Sequence, residues 1–168
     1  MTETEKPRAP VVEHVGVVDV ALPADAALAL FTAEGERAWA PGWDPRHVTP
    51  ADGTPVEGGI WLTMDGDTEV IWHVQRFDRE AGVAEYLRVM PGHRIAVITV
   101  RCEPNGAATR ATVSYRITPL SEVGRAWLEQ FDDAAYAAMM QEWQQRIAEL
   151  LECSRPGTEG QVTCPAPA

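Results

Sequence analysis

The order in which two hydrophobic periodicities occur constrains this chain more than any single motif. Between about Gly59 and Leu120, period-two runs are separated by four turn signals: Asp65-Gly66-Asp67, Arg79 to Gly82, Pro91-Gly92 and Asn105-Gly106. From Ser121 to Glu152 there is no proline and the apolar spacing becomes helical, with Leu128, Phe131, Ala135, Met139, Trp143, Ile147 and Leu150 at three- and four-residue steps. Strands joined by turns too short for a crossover pair antiparallel. The pattern therefore predicts an α+β fold in which a curved antiparallel sheet of about six strands wraps around one long C-terminal helix. About 30 helical residues would form a rod on the order of 45 Å, enough to cross the sheet. A gap between a cupped sheet and a rod is a place for a ligand.

Upstream, the valine-rich stretch Val11 to Leu22 reads as a first strand. Pro23 and Asp25 suit the opening of a short helix through roughly Thr32, which Gly35 stops or bends. Glu36 to Pro45 carries two tryptophans among prolines and a glycine, which favours a structured turn or broken helix. Arg46 to Gly58 reads as a loop. The strands expected after it are Ile60 to Met64, Thr68 to Asp78, Val83 to Met90, His93 to Glu103 and Ala108 to Thr118. Residues 1–10 are expected to be a loose arm, 11–152 a single domain, and 153–168 a disordered tail.

Charge narrows the partners. The net charge is −11, and the basic residues, of which Lys6 is the only lysine, are scattered. Phosphate binding needs concentrated Lys and Arg, so no nucleic-acid partner is expected. Glu122, Glu129, Asp132, Asp133, Glu142, Glu149 and Glu152 outnumber Arg125 and Arg146 on the C-terminal helix. That is a solvated face or an acidic docking surface. No apolar run approaches a membrane span, and the polar start MTETEKPRAP lacks a signal core, so a cytoplasmic location without a transmembrane segment is expected. Cys102, Cys153 and Cys164 have no metal-type spacing and are expected to remain thiols. His14, His47, His73 and His93 form no zinc motif, so no metal is expected. Nucleophile-elbow, phosphate-loop and dinucleotide fingerprints do not occur, and no cofactor is expected.

Three stretches in sequence carry a family likeness. They are Phe31-Thr32-Ala33-Glu34-Gly35-Glu36 with Trp39-Ala40-Pro41-Gly42-Trp43-Asp44-Pro45, then Ile71-Trp72-His73-Val74, and then Val113-Ser114-Tyr115-Arg116-Ile117-Thr118 leading into Leu120-Ser121. In this order, from roughly Val11 to Leu151, the chain resembles the START-like, or SRPBCC, superfamily with its helix-grip fold, and looks like a bacterial branch of it. That superfamily includes lipid-transfer domains, plant pathogenesis-related allergens, polyketide cyclases and relatives of the Hsp90 ATPase activator. The resemblance implies that a lipid- or polyketide-like apolar molecule binds between sheet and helix. It also implies two alternatives: a cyclase- or dehydrase-type enzyme, or an interaction module like the Hsp90 activator.

Strand alternation separates Val70, Trp72 and Val74 from Ile71, His73 and Gln75, and Val113, Tyr115 and Ile117 from Ser114, Arg116 and Thr118. The bulkier apolar sets should face the helix, which points Trp72 and Tyr115 toward Phe131, Met139 and Trp143. Each of these aromatics is either core packing or cavity lining. Trp39 and Trp43, costly to expose, cap the core or flank an entrance; in helix-grip folds the short helices close one end of the cavity. The candidate ligand-binding residues are therefore Trp39, Trp43, Trp72, Tyr115, Phe131, Met139 and Trp143. Tyr86 and Arg88 share one face of a strand. An exposed polar face is the simpler reading, but inside a cavity the pair could polarise a carbonyl or hold an acid group. His47, after the tryptophan segment, could reach a ligand near the entrance. Tyr86, Arg88 and His47 are thus the candidate proton handlers. An exposed sheet edge or outer face could pair two copies into a homodimer.

Overall fold

Each of the four turn signals forms a hairpin, and each contains a glycine in the left-handed region. Gly66, Gly82, Gly92 and Gly106 have φ between 60° and 70°, which costs a side-chain-free residue nothing. The computed structural model describes residues 10–154. The expected arm before Pro10, the expected tail beyond Ser154 and Cys164 lie outside the described residues.

The strands are β1 (Val12–Val20), β2 (Arg46–Thr49), β3 (Ile60–Asp65), β4 (Thr68–Asp78), β5 (Val83–Met90), β6 (Arg94–Asn105) and β7 (Ala108–Pro119). They form one antiparallel sheet in the order β1-β7-β6-β5-β4-β3-β2. The hairpins make a meander from β2 to β7, and β1 then closes onto β7 in a continuous register from Val12↔Ile117 to Val20↔Thr109. Helices α1 (Ala24–Ala29) and α2 (Ala33–Glu36) follow β1; α3 (Glu122–Gln130) and α4 (Asp133–Cys153) end the described chain. Among the described residues, no helix is long and apolar enough to cross a membrane.

The alternation read from β4 and β7 holds. Val70, Trp72, Val74, Val113 and Ile117 are buried, while Ile71, Gln75 and Arg116 are exposed. β6 adds Ala96, Ile98 and Val100 to the same inner face.

Three expectations need correction. The sheet has a seventh strand, because Arg46–Thr49 lies within the expected loop and pairs with β3 at Arg46↔Leu62 and His47↔Trp61. A four-residue edge strand with an irregular end is too short to show alternation. Gly35 does not end the first helix: α1 stops at Ala29, and Gly35 sits inside the separate α2. A side chain there would put Cβ 1.9 Å from the Ala29 carbonyl oxygen, so glycine lets α2 fold directly against the end of α1.

The long helix, finally, is broken. Phe131 leaves helical geometry at φ −91°, ψ 65°, and Asp132 caps a new helix by accepting a hydrogen bond from the Ala135 backbone N–H at 2.8 Å. The break exposes the Phe131 carbonyl, which lies 3.0 Å from Nε2 of buried His14, while Nδ1 of the same ring lies 2.8 Å from Asp133 Oδ1. His14 also stacks on Tyr136, with ring centres 5.2 Å apart. The rod is thus α4 alone, about 32 Å long.

Candidate functional site

A cavity of about 550 Å³ lies between the inner face of the sheet and α2, α3 and α4. Its volume is in the range that encloses a small organic ligand. All seven residues expected to line a ligand site line it: Trp39, Trp43, Trp72, Tyr115, Phe131, Met139 and Trp143. With Trp127, five of the chain's six tryptophans face it. Exposed Pro41, Gly42, Asp44, Met64 and Gly66 form its mouth.

Hydrogen bonds fix much of the aromatic wall. Trp39 Nε1 donates to the Leu30 carbonyl at 2.8 Å, and Trp43 Nε1 to the Ala33 carbonyl at 2.7 Å, so both indoles are tied to the α1–α2 corner. The segment from Trp39 to Pro45 therefore does both things expected of it: Trp39 is buried, while its prolyl-glycyl tip borders the mouth. Trp72 donates to Thr63 Oγ1 at 2.9 Å and stacks on Trp61, its cross-strand partner, at 5.6 Å. Trp143 sits against Trp39 and Tyr115, with ring centres 5.2 and 6.5 Å away. Indoles held at their N–H groups present ring faces and edges, not rotating tips, to the interior.

Besides the Arg146–Glu142 pair that α4 contributes to the lining, the polar groups fall at two poles. Near the mouth, Arg88 and Arg94 both reach Asp65 Oδ2, at 2.8 and 3.0 Å. Burial alone would push the Asp65 carboxyl up, but the hydrogen-bonded Arg88 and the adjacent Arg94 override it and hold the group below its ordinary range. The Arg94 guanidinium also lies 3.8 Å from the Trp127 ring centre. The second pole is Glu36, the last residue of α2, with Tyr115 and Tyr86. Protein surrounds the Glu36 carboxyl and desolvates it, raising its pKa to about 8. Its partial exposure is to the cavity it lines. Burial first, and then the charge on Glu36, hold the hydroxyls of Tyr115 and Tyr86 protonated far above neutrality.

The three candidate proton handlers do not converge. The inner face, not an exposed one, holds Tyr86 and Arg88, correcting the simpler expectation for that strand; the hydrophobic inward set of β5 includes Ala84 and Tyr86. Yet the Tyr86 hydroxyl donates to the Phe31 carbonyl at 3.0 Å, and Arg88 is held by Asp65. His47 pairs with Glu34 and borders a separate small recess, away from the main cavity.

Glu36 is the residue that sequence reasoning missed. Its signal was its position three residues before Trp39, which places both on one helical face. An expectation of a structured turn or broken helix, with no regular repeat, leaves that spacing out of view.

No protein-family model matches the chain, and no curated protein matches it in sequence. Solved structures do match. Norcoclaurine synthase from Thalictrum flavum aligns with a TM-score of 0.62 at 13% identity, covering 92% of this chain and 97% of that one. Ara h 8.0201 aligns at 0.60 with 10% identity, covering 85% and 99%. DynU16, a protein of the dynemicin biosynthetic locus, aligns at 0.58 with 16% identity, covering 86% of this chain and 48% of its own. At these identities the likeness is one of fold: the chain has the α+β helix-grip fold of the START-like superfamily.

Proposed function

We propose that this protein binds a small apolar, aromatic molecule in the cavity between the sheet and the C-terminal helices. The observation that carries the reading is the cavity itself: about 550 Å³, walled by five tryptophans, with its arginines already paired to Asp65 and Glu142. Burying roughly 250 Å² of ligand carbon at about 25 cal/mol per Å² would contribute about 6 kcal/mol before association costs. A few hydrogen bonds at the polar ends bring the gross gain to about 9 kcal/mol, so micromolar affinity is the upper bound before association costs are subtracted. Norcoclaurine synthase, which shares the fold, has been solved in complex with dopamine and hydroxybenzaldehyde, and aromatic rings of that size fit the volume here.

Acid–base catalysis on a polyketide-like substrate needs polar side chains meeting at one substrate position. Tyr86, Arg88 and His47 supply no such meeting point, which favours binding over a cyclase or dehydrase built on them.

Thermal unfolding with a panel of lipids, flavonoids and aromatic polyketides tests the reading, with native mass spectrometry of the purified protein as a second measure. Ligands should raise the melting temperature and quench tryptophan emission. A protein that responds to none of them and carries no small molecule does not use this cavity.

A further inference from the structure

The cavity contains two hydroxyl-type donors that the protein leaves unused. Asp65 occupies both mouth arginines, Glu142 occupies Arg146, and the Phe31 carbonyl occupies Tyr86. Among the described residues, no hydrogen bond or ion pair engages the Glu36 carboxyl or the Tyr115 hydroxyl. Both line the same cavity, close enough for a charge on Glu36 to act on the Tyr115 hydroxyl. Gly35, packed against the Ala29 carbonyl, fixes the backbone that carries Glu36. Tyr115 is held on β7 between the rings of Tyr136 and Trp143. These two side chains are therefore positioned without being satisfied.

Resting on the ligand-binding reading above, we infer that Glu36 and Tyr115 jointly donate hydrogen bonds to a neutral carbonyl oxygen, so that the ligand class is an aromatic ketone or aldehyde.

The alternatives fail on desolvation. A pure hydrocarbon would displace the water that solvates the carboxyl and leave a buried polar group unpaired. A carboxylate ligand would lose its hydration among aromatic walls with no free cation among the described residues to meet it, the lining arginines being already committed to Asp65 and Glu142. An ammonium must first expel a proton, because with a pKa of about 8 the carboxyl is mostly the neutral acid at pH 7. A carbonyl matches the site as it stands. Two O–H donors meet an oxygen with two lone pairs, and the aromatic walls receive the rest of the molecule.

Three probes of nearly one shape test this: 2-acetylnaphthalene, 2-isopropenylnaphthalene and 1-(2-naphthyl)ethylammonium, titrated calorimetrically. The ketone should bind about tenfold more tightly than the hydrocarbon. Its advantage should be constant below pH 8 and fall above it, as Glu36 ionises. Tyr115→Phe and Glu36→Leu should each remove most of the advantage. Glu36→Gln, which keeps a donor, should preserve it and abolish the decline above pH 8. Equal affinity for ketone and hydrocarbon overturns the donor pair while leaving the cavity reading intact. Tightest binding of the ammonium overturns the ligand class. Binding of none of the three overturns the cavity reading itself. Should the variants fail to fold, the pH profile of the unmodified protein decides between these outcomes.

Discussion

Glu36→Gln should make the protein more stable at neutral pH, and the gain should depend on pH in a defined direction. The carboxyl is raised from 4.5 to about 8 by burial in the folded protein. Between those values the folded state holds a proton that the unfolded state has released, so folding becomes less favourable as pH rises through this window. At about 1.4 kcal/mol per pH unit, the penalty reaches about 3 kcal/mol at pH 7 and about 5 kcal/mol at pH 8 and above. An amide of the same shape carries no such penalty. The carboxylates held below their ordinary range, Glu34 and Asp65 among them, tilt stability the opposite way, but they are common to both proteins and cancel in the difference. Urea unfolding at pH 4.5, 7 and 9 would measure it. The variant should equal the parent at pH 4.5 and exceed it by about 2–3 kcal/mol at pH 7. A difference that does not change with pH would mean that Glu36 ionises freely in the folded protein, and the desolvation argument would be wrong.

Two further changes probe the frame around the cavity. His14→Ala leaves the Phe131 carbonyl unpaired and opens a gap beside Tyr136, and should cost about 2–4 kcal/mol; amide exchange should accelerate from Phe131 to Ala135, and unchanged exchange there would show that His14 does not hold the break. Asp65→Asn strands Arg88 and Arg94. Because the Asp65 side chain is 44% exposed, screening limits the expected loss to about 1–2 kcal/mol at pH 7. The carboxyl lies below its ordinary range, so its contribution is present at neutral pH and lost as pH falls through the folded value. A loss that persists undiminished at pH 2 would point to packing instead.

The parts of this fold readable in the sequence are those where local chemistry and global arrangement agree. Positive-φ glycines mark each hairpin, and strict alternation on β4 and β7 points Trp72 and Tyr115 inward. Most of the cavity lining was legible for the same reason: Trp72, Tyr115, Met139 and Trp143 lie on strands and on helix positions with clear periodicity. What escaped reading depends on contacts distant in sequence. The helix break at Phe131 looks continuous in a pattern where Leu128, Phe131 and Ala135 keep helical spacing. Its cause is the Asp132 cap together with His14, 117 residues away from Phe131. Burial then shifts to Tyr136 and Met140, one position later than the expected Ala135 and Met139. Met139 faces the cavity as a result. Glu36 was hidden because a buried acid contradicts the usual preference of carboxylates for water, and such exceptions show only when the surrounding walls are known.

The cavity persists because α4 is held to one side. Its closest backbone approach is to β1, where Gly16 leaves no room for a side chain: a Cβ would lie 2.6 Å from Met140 Cγ. Over the central strands the sheet curves away, and small Ala96 on β6 faces the resulting gap. A dry cavity of about 550 Å³, at about 24 cal/mol per Å³, would cost over 10 kcal/mol, comparable to the whole stability of a domain. The space must therefore be wetted through its mouth and polar poles, or filled by a guest. Larger side chains would fill it more simply, and Ala96→Leu tests that exchange. The added carbon should increase stability by about 1–2 kcal/mol through apolar burial, while weakening the ligand-induced rise in melting temperature at least severalfold. If Ala96→Leu destabilises the protein, the gap over β6 is already packed; if it stabilises without affecting ligand response, the ligand binds elsewhere. Stability gained and binding lost in the same variant would show that the fold retains this volume for occupancy, at a cost the chain could otherwise avoid.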